Sequence, residues 1–312
     1  MPAKKIMLAV ASMFRVKESW MALDTSGPIP GKSPTMVPTT TAITIAEQVS
    51  YLDDAAPQHR MDIARPLVYE GKLPVIVQIH GGGWVYGHKD TYYKYYGMEL
   101  SRRGYGVLTI NYRLGFDAPF PAQLEDCVAA LKWIEEHGDE YDLDVIQARF
   151  DGRIARAQLS ALTAHPLLSQ ELSDKFILNR PKVVIQGLGL SCGVYDLVRL
   201  LNAKLDYPNR VMTAQTLFDR EDFMNHPLFP YSSVSNNLHP DFPPSYLLTT
   251  QNDDLIVETM QFDKELREMG IKHKLRVMAK KEKLYHVFNI KLIYPQSLDV
   301  MDEMIRFFKN NK

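Results

Sequence analysis

The chain is short of nearly everything that would mark a specialised class of protein. No apolar run approaches the roughly 18 residues that a membrane-spanning helix needs, so no membrane span is expected. Neither sign of charge dominates. The 36 Lys and Arg against 37 Asp and Glu leave a formal net charge of −1, without the basic footprint of a nucleic-acid binder. The run Lys280-Lys281-Glu282-Lys283 carries its own acid and reads as a solvated loop. Cysteine is scarce: Cys127 and Cys192 lack metal-ligand spacing, and Cys127 sits among apolar residues of a predicted helix, which suits a buried free thiol better than a disulfide. Internal repeats and low-complexity tracts are also missing. Lys4-Lys5 followed by Ile6–Phe14 is a poor secretory signal, because the apolar stretch is short and Arg15 and Lys17 follow at once. Residues 4–23 read instead as an amphipathic surface helix, and a cytoplasmic location is expected.

What remains is an ordinary globular composition, 46% hydrophobic and 23% charged over 312 residues, enough for one large domain. Residues 25–42 are rich in Pro, Gly, Ser and Thr and read as a loop. From residue 43 strands and helices alternate. Ala42–Ser50 and Met61–Ala64 look like short strands. Pro74–His80 is a near-continuous apolar run ending at glycines, as in a strand buried on both faces of a parallel sheet. The pattern then predicts a helix over 92–102, a strand over 107–111, a helix over 121–137, a poorly apolar segment at 145–154 where a strand is due, a helix over 157–172 and a strand over 181–190. After an irregular helical stretch (196–240) come a strand over 245–250, a helix over 258–269, a strand over 272–278 and a closing helix over 295–310. This alternation argues a doubly wound α/β sheet. The irregular stretch and the N-terminal helix and loop (1–42) are expected to form a small lid over the strand tips, where open α/β sheets bind ligands, with residues 43–312 forming the main domain.

Three motifs carry chemistry. His80-Gly81-Gly82-Gly83-Trp84 lets the backbone turn sharply after a buried strand with several N–H groups outward, as an oxyanion needs. Without its flanking His and Trp it would read as a plain glycine turn. Gln251-Asn252-Asp253-Asp254-Leu255 puts carboxylates at a strand tip, where one could orient an imidazole or merely cap the next helix. Lys283-Leu284-Tyr285-His286-Val287-Phe288 places a histidine late in the chain, after the acid, the order usual for this kind of sheet.

The segments PVIVQIHGGGWVYGHKD and NYRLGFDAPFPAQLEDCVAALKWI resemble the hormone-sensitive-lipase-like esterases of the α/β-hydrolase fold, and the resemblance runs over roughly residues 45–310. It implies hydrolysis of a carboxylic ester of a small, uncharged acyl substrate. It further implies oxyanion donors at Gly82 and Gly83, a structural His80, an acid at Asp253 with Asp254 as the fallback, and a general base at His286. No metal or organic cofactor is implied, the expected partner is a small ester or acyl ligand, and homo-oligomerisation stays open.

The same resemblance calls for Gly-x-Ser-x-Gly between a strand and a helix. The flanks Tyr141-Asp142 and Ala157-Gln158-Leu159 match, but ungapped counting puts Ile154 at the serine and Arg156 at the second glycine. Ala155 could still offer a third oxyanion N–H. Isoleucine has no nucleophilic atom, and a β-branched side chain tolerates the strained elbow badly. Arg149, Asp151 and Arg153 place charge in a strand due for burial, so a weakened strand and a relaxed elbow are expected. Gly189-Leu190-Ser191-Cys192-Gly193 matches the motif literally but lies one strand late, on a turn to which the resemblance gives no catalytic role; Ser160, further along the helix, is a poorer candidate still. Two functions follow: a carboxylesterase, or a non-catalytic ligand-binding pseudoenzyme, for which the family offers a plant hormone receptor as precedent.

Overall fold

The computed structural model describes residues 42–90, 92–153, 155–203 and 210–311, with backbone alone at 152, 153, 155 and 156. The predicted N-terminal helix and loop thus lie outside the described residues, and so does Ile154. The strands are β1 (Ile43–Ser50), β2 (Arg60–Pro66), β3 (Leu73–Ile79), β4 (Gly106–Ile110), β5 (Leu143–Arg153), β6 (Val184–Ser191), β7 (Ser245–Thr250) and β8 (His273–Met278). They form one sheet in the order β1-β2-β4-β3-β5-β6-β7-β8. The β1–β2 and β2–β4 pairs are antiparallel and every later pair is parallel. Central strands such as β4 (GVLTI) and β7 (SYLLTT) are buried along their whole length, as strands covered on both faces must be. The edge strand β8 (HKLRVM) alternates instead, with Lys274 and Arg276 paired to Glu303, a charged edge that discourages further strand pairing.

Helices cover both faces. On one lie α1 (Tyr92–Ser101) and the C-terminal helix α8 (Pro295–Lys309), whose Tyr96, Leu100, Val300, Met301, Met304 and Phe308 form a separate apolar cluster with Ile76, Val107 and Leu248 of the sheet. On the other lie α2 (Ala122–His137), α3 (Ala155–Leu168) and α7 (Ile256–Glu268), packed on the larger core. The predicted helix 157–172 is broken. Pro166 sits inside α3 and removes one N–H from its last turn, α3 ends at Leu168, and Ser169, accepting from the Leu172 amide, caps the short α4 (Gln170–Lys175). The irregular stretch consists of α5 (Leu197–Asn202), α6 (Arg210–Phe218) and 3-10 turns. Phe218, Phe223 and Phe229 make an aromatic knot there that reaches Phe120. No helix among the described residues is long and apolar enough to cross a membrane.

One expectation is corrected. The charged segment at 145–154 does not give a weakened strand: β5 is 11 residues long and pairs on both sides, up to Arg153 opposite Ser191. Arg149 and Asp151 are nevertheless 3% and 1% exposed. Room for them comes from the neighbouring strand, where β6 places Gly187 opposite Arg149 and Gly189 opposite Asp151. A side chain at Gly187 would press on Phe308, whose ring lies under the Arg149 guanidinium at 5.9 Å; one at Gly189 would meet Asp151 and Met304. Stacking on an aromatic face lets a guanidinium be buried at reduced cost.

Candidate functional site

The parallel strands point their carboxyl ends the same way, and the singled-out motifs sit at those ends. After β3, His80 is buried and stacked on Tyr112 at 4.3 Å, so it holds the loop, as the resemblance implies. Gly82 has φ +139°, and a Cβ there would lie 1.6 Å from the carbonyl oxygen of Tyr86; only glycine fits this turn. Gly83 also has positive φ, 57°. The Gly82 carbonyl accepts from the amides of Val85 and Tyr86, which closes the turn. Two residues of the downstream motif explain its presence. Asn111 accepts from the Lys89 amide, and the Lys89 ammonium, wholly buried, bonds Asp62 and Asp90 at 2.7 Å each. Arg113 forks onto Asp126.

The loop after β3 is tied to the helix after β5. Trp84 Nε1 donates to Gln158 Oε1 at 2.8 Å, and Gln158 Nε2 donates to the Ser232 carbonyl at 2.5 Å. Gln158 therefore fastens the glycine turn, α3 and the irregular stretch together. Sequence reasoning used Gln158 only as a flank of the elbow. The signal available was a polar residue set between Ala157 and Leu159; the structure buries it to 2% exposure. Strand β5 ends at Arg153 and α3 begins at Ala155, the strand-to-helix junction that an elbow requires. Ala155 takes the first helical position, where backbone N–H groups have no intrahelical partner.

At the end of β7, Asp253 is 4% exposed while Asp254 is exposed, which separates the two candidates. Asp253 Oδ1 lies 2.8 Å from Nδ1 of His286 and also accepts from the Leu255 amide at 2.9 Å. With the carboxylate as acceptor the imidazole proton resides on Nδ1, leaving Nε2 as the basic nitrogen. Burial pushes the Asp253 carboxyl up, but the charge and hydrogen bond of His286, the Cys192 thiol and the Leu255 amide outweigh it and hold the carboxyl below its usual value. The His286 side chain is 34% exposed, so the pair runs from the interior to the surface.

Ser191, the rival nucleophile, is brought elsewhere. It is 2% exposed, donates to Asn289 Oδ1 at 3.1 Å, and borders a cavity of ≈ 10 Å³ with Tyr96, Tyr246 and Met304, too small for a substrate. Ser160 is wholly buried. The Cys192 sulfur, the Asp253 carboxylate and an imidazole nitrogen of His286 lie within 4.8 Å of one another, atom types that could ligate a metal ion. Burial, however, pushes the Cys192 thiol well up, away from the thiolate a metal would take.

The BD-FAE family model matches residues 61–267. Esterase LipI of Mycobacterium tuberculosis is 28% identical over 208 residues, 65% of this chain and 62% of its own length. Acetyl esterase of Salmonella schwarzengrund is 28% identical over 187 residues, 58% of this chain and 56% of its own. The chain thus spans less than two thirds of the length of these relatives. Among solved structures, Esterase B from Lactobacillus rhamnosis superimposes with a TM-score of 0.84 at 24% identity, covering 99% of this chain and 96% of that one, which shows the shared fold. Matched by the family model over residues 61–267, with its glycine turn, strand-to-helix junction and Asp–His pair at the carboxyl ends of a mostly parallel sheet, the chain belongs to the BD-FAE family, α/β-hydrolases allied to the esterases of the hormone-sensitive-lipase type.

Proposed function

We propose that this is the site of a carboxylic ester hydrolase whose acid–base half is built and whose nucleophile position holds Ile154. The observation that carries the reading is the buried Asp253 bonded to His286 at 2.8 Å. In this reading Gly82, Gly83 and Ala155 supply the oxyanion N–H groups, His286 is the general base and Asp253 fixes its tautomer. In this reading the irregular stretch after β6 serves as the lid. The acyl group is small and uncharged, a choice supported by the acetyl esterase among the relatives. Without a hydroxyl at 154 no acyl-enzyme can form, so binding and oxyanion stabilisation outlast turnover.

The test is turnover of a short-chain aryl ester. We expect a catalytic constant far below about 1 per second, the low end of ordinary enzymes, together with a rise in melting temperature as ester is added. Turnover at or above that rate would sink the reading. Should activity appear, Ser191→Ala identifies its source: activity lost with that change would make Ser191 the nucleophile. The second reading, a ligand-binding pseudoenzyme, is favoured by Ile154 itself. It predicts saturable stabilisation by ester with no product formed.

A further inference from the structure

The Asp253 carboxylate has a second oxygen. Oδ1 is used by His286 and Leu255, whereas Oδ2 is buried and has no hydrogen-bond partner among the described residues. A buried carboxylate oxygen without a donor costs free energy and lets the group rotate. Near the carboxylate is the thiol of Cys192, which is wholly buried, with its sulfur in the same 4.8 Å cluster as the carboxylate and the imidazole.

The backbone aims that thiol. Cys192 follows β6 with φ +52°, its amide donates to the Leu248 carbonyl at 2.8 Å, and a Cβ at the next residue, Gly193, would strike the Tyr195 ring and Ala157. The sulfur in turn accepts from the Val287 amide at 3.5 Å, the residue after His286. A single sulfur therefore touches the loop of the acid and the loop of the histidine. We propose that Cys192 is a positioning residue: its S–H donates to Asp253 Oδ2, locking the carboxylate plane so that Oδ1 faces His286 Nδ1. Burial keeps the thiol protonated, as a donor must be. The titratable groups acting on Asp253 are His286, Cys192 and Tyr195.

The inference rests on the reading of Asp253 and His286 as the acid–base pair, but its readouts are equilibrium properties and are obtained whether or not any ester is cleaved. In the unaltered protein, infrared spectra should show two S–H stretching bands. That of Cys192 should lie below that of Cys127, vanish in Cys192→Ser, and move up in Asp253→Asn. Carboxyl titration followed by 13C NMR should show the Asp253 midpoint rising by about half a pH unit to one in Cys192→Ala, the size of one weak hydrogen bond. It should stay near the native value in Cys192→Ser, which keeps a donor. Packing alone predicts a similar displacement in both variants, since alanine and serine each fill less of the site than cysteine. A missing Cys192 band, one no lower than that of Cys127, an unmoved midpoint in Cys192→Ala, or a serine variant displaced as far as the alanine one would each overturn the proposal.

Discussion

Under the proposed function, a change of a few atoms at residue 154 separates a hydrolase from a binding protein. Restoring the hydroxyl by Ile154→Ser should regain little turnover by itself, because ungapped counting from the resemblance puts Arg156 where the family has a glycine. A bulky side chain at a packing glycine is expected to push a helix from its strand, and misplacing a nucleophile by about 1 Å can lower the rate on the order of 100-fold. The serine must come within roughly 3 Å of the histidine nitrogen to be activated. The double variant Ile154→Ser, Arg156→Gly should exceed the single one by about that factor in turnover of an aryl ester. Equal rates would refute the packing argument. In the double background Asp253→Asn and His286→Ala should abolish the gain, and activity that survives His286→Ala would refute the assignment of the base.

Gln158 matters at the scale of elements. Its amide satisfies the Trp84 indole N–H and the Ser232 carbonyl at once, in a region that water does not enter. Gln158→Leu keeps the volume roughly constant and removes both partners. Each orphaned buried group costs about 1–3 kcal/mol, so a loss of roughly 2–6 kcal/mol in urea unfolding is expected, with an unchanged dependence on denaturant. A loss under about 1 kcal/mol would mean that the glycine turn and the irregular stretch hold together by apolar packing, chiefly through the Phe120, Phe218 and Phe229 cluster.

For the whole molecule the informative group is His165. It is buried on α3 against Phe242, and neither ring nitrogen has a partner among the described residues. Burial, with a smaller contribution from His239, lowers its pKa to about 3. The unfolded chain takes up this proton near pH 6.5 and the folded chain does not, so stability is complete above about 6.5 and declines as pH falls towards 3. The slope is about one proton, ~1.4 kcal/mol per pH unit. His165→Leu should flatten that part of the stability–pH curve in denaturant titrations at successive pH values. An unchanged slope would place the acid sensitivity elsewhere.

Much of this protein could be read along the chain. The glycine turn, Asp253, His286 and the family are local patterns, and a pattern of type and spacing needs no partner to be recognised. The strand order of motifs also followed, because buried strands and amphipathic helices differ in period. The isoleucine at 154 is likewise a fact of sequence alone. What the tertiary structure decided are matters of who faces whom. Arg149 and Asp151 look wrong for a buried strand until Gly187 and Gly189 come to lie opposite them on β6. Gln158 meets Trp84 across 74 residues, and Val287 meets Cys192 across 95. Whether a buried polar group is tolerated depends on such distant partners, and no local window of sequence contains both members of the pair.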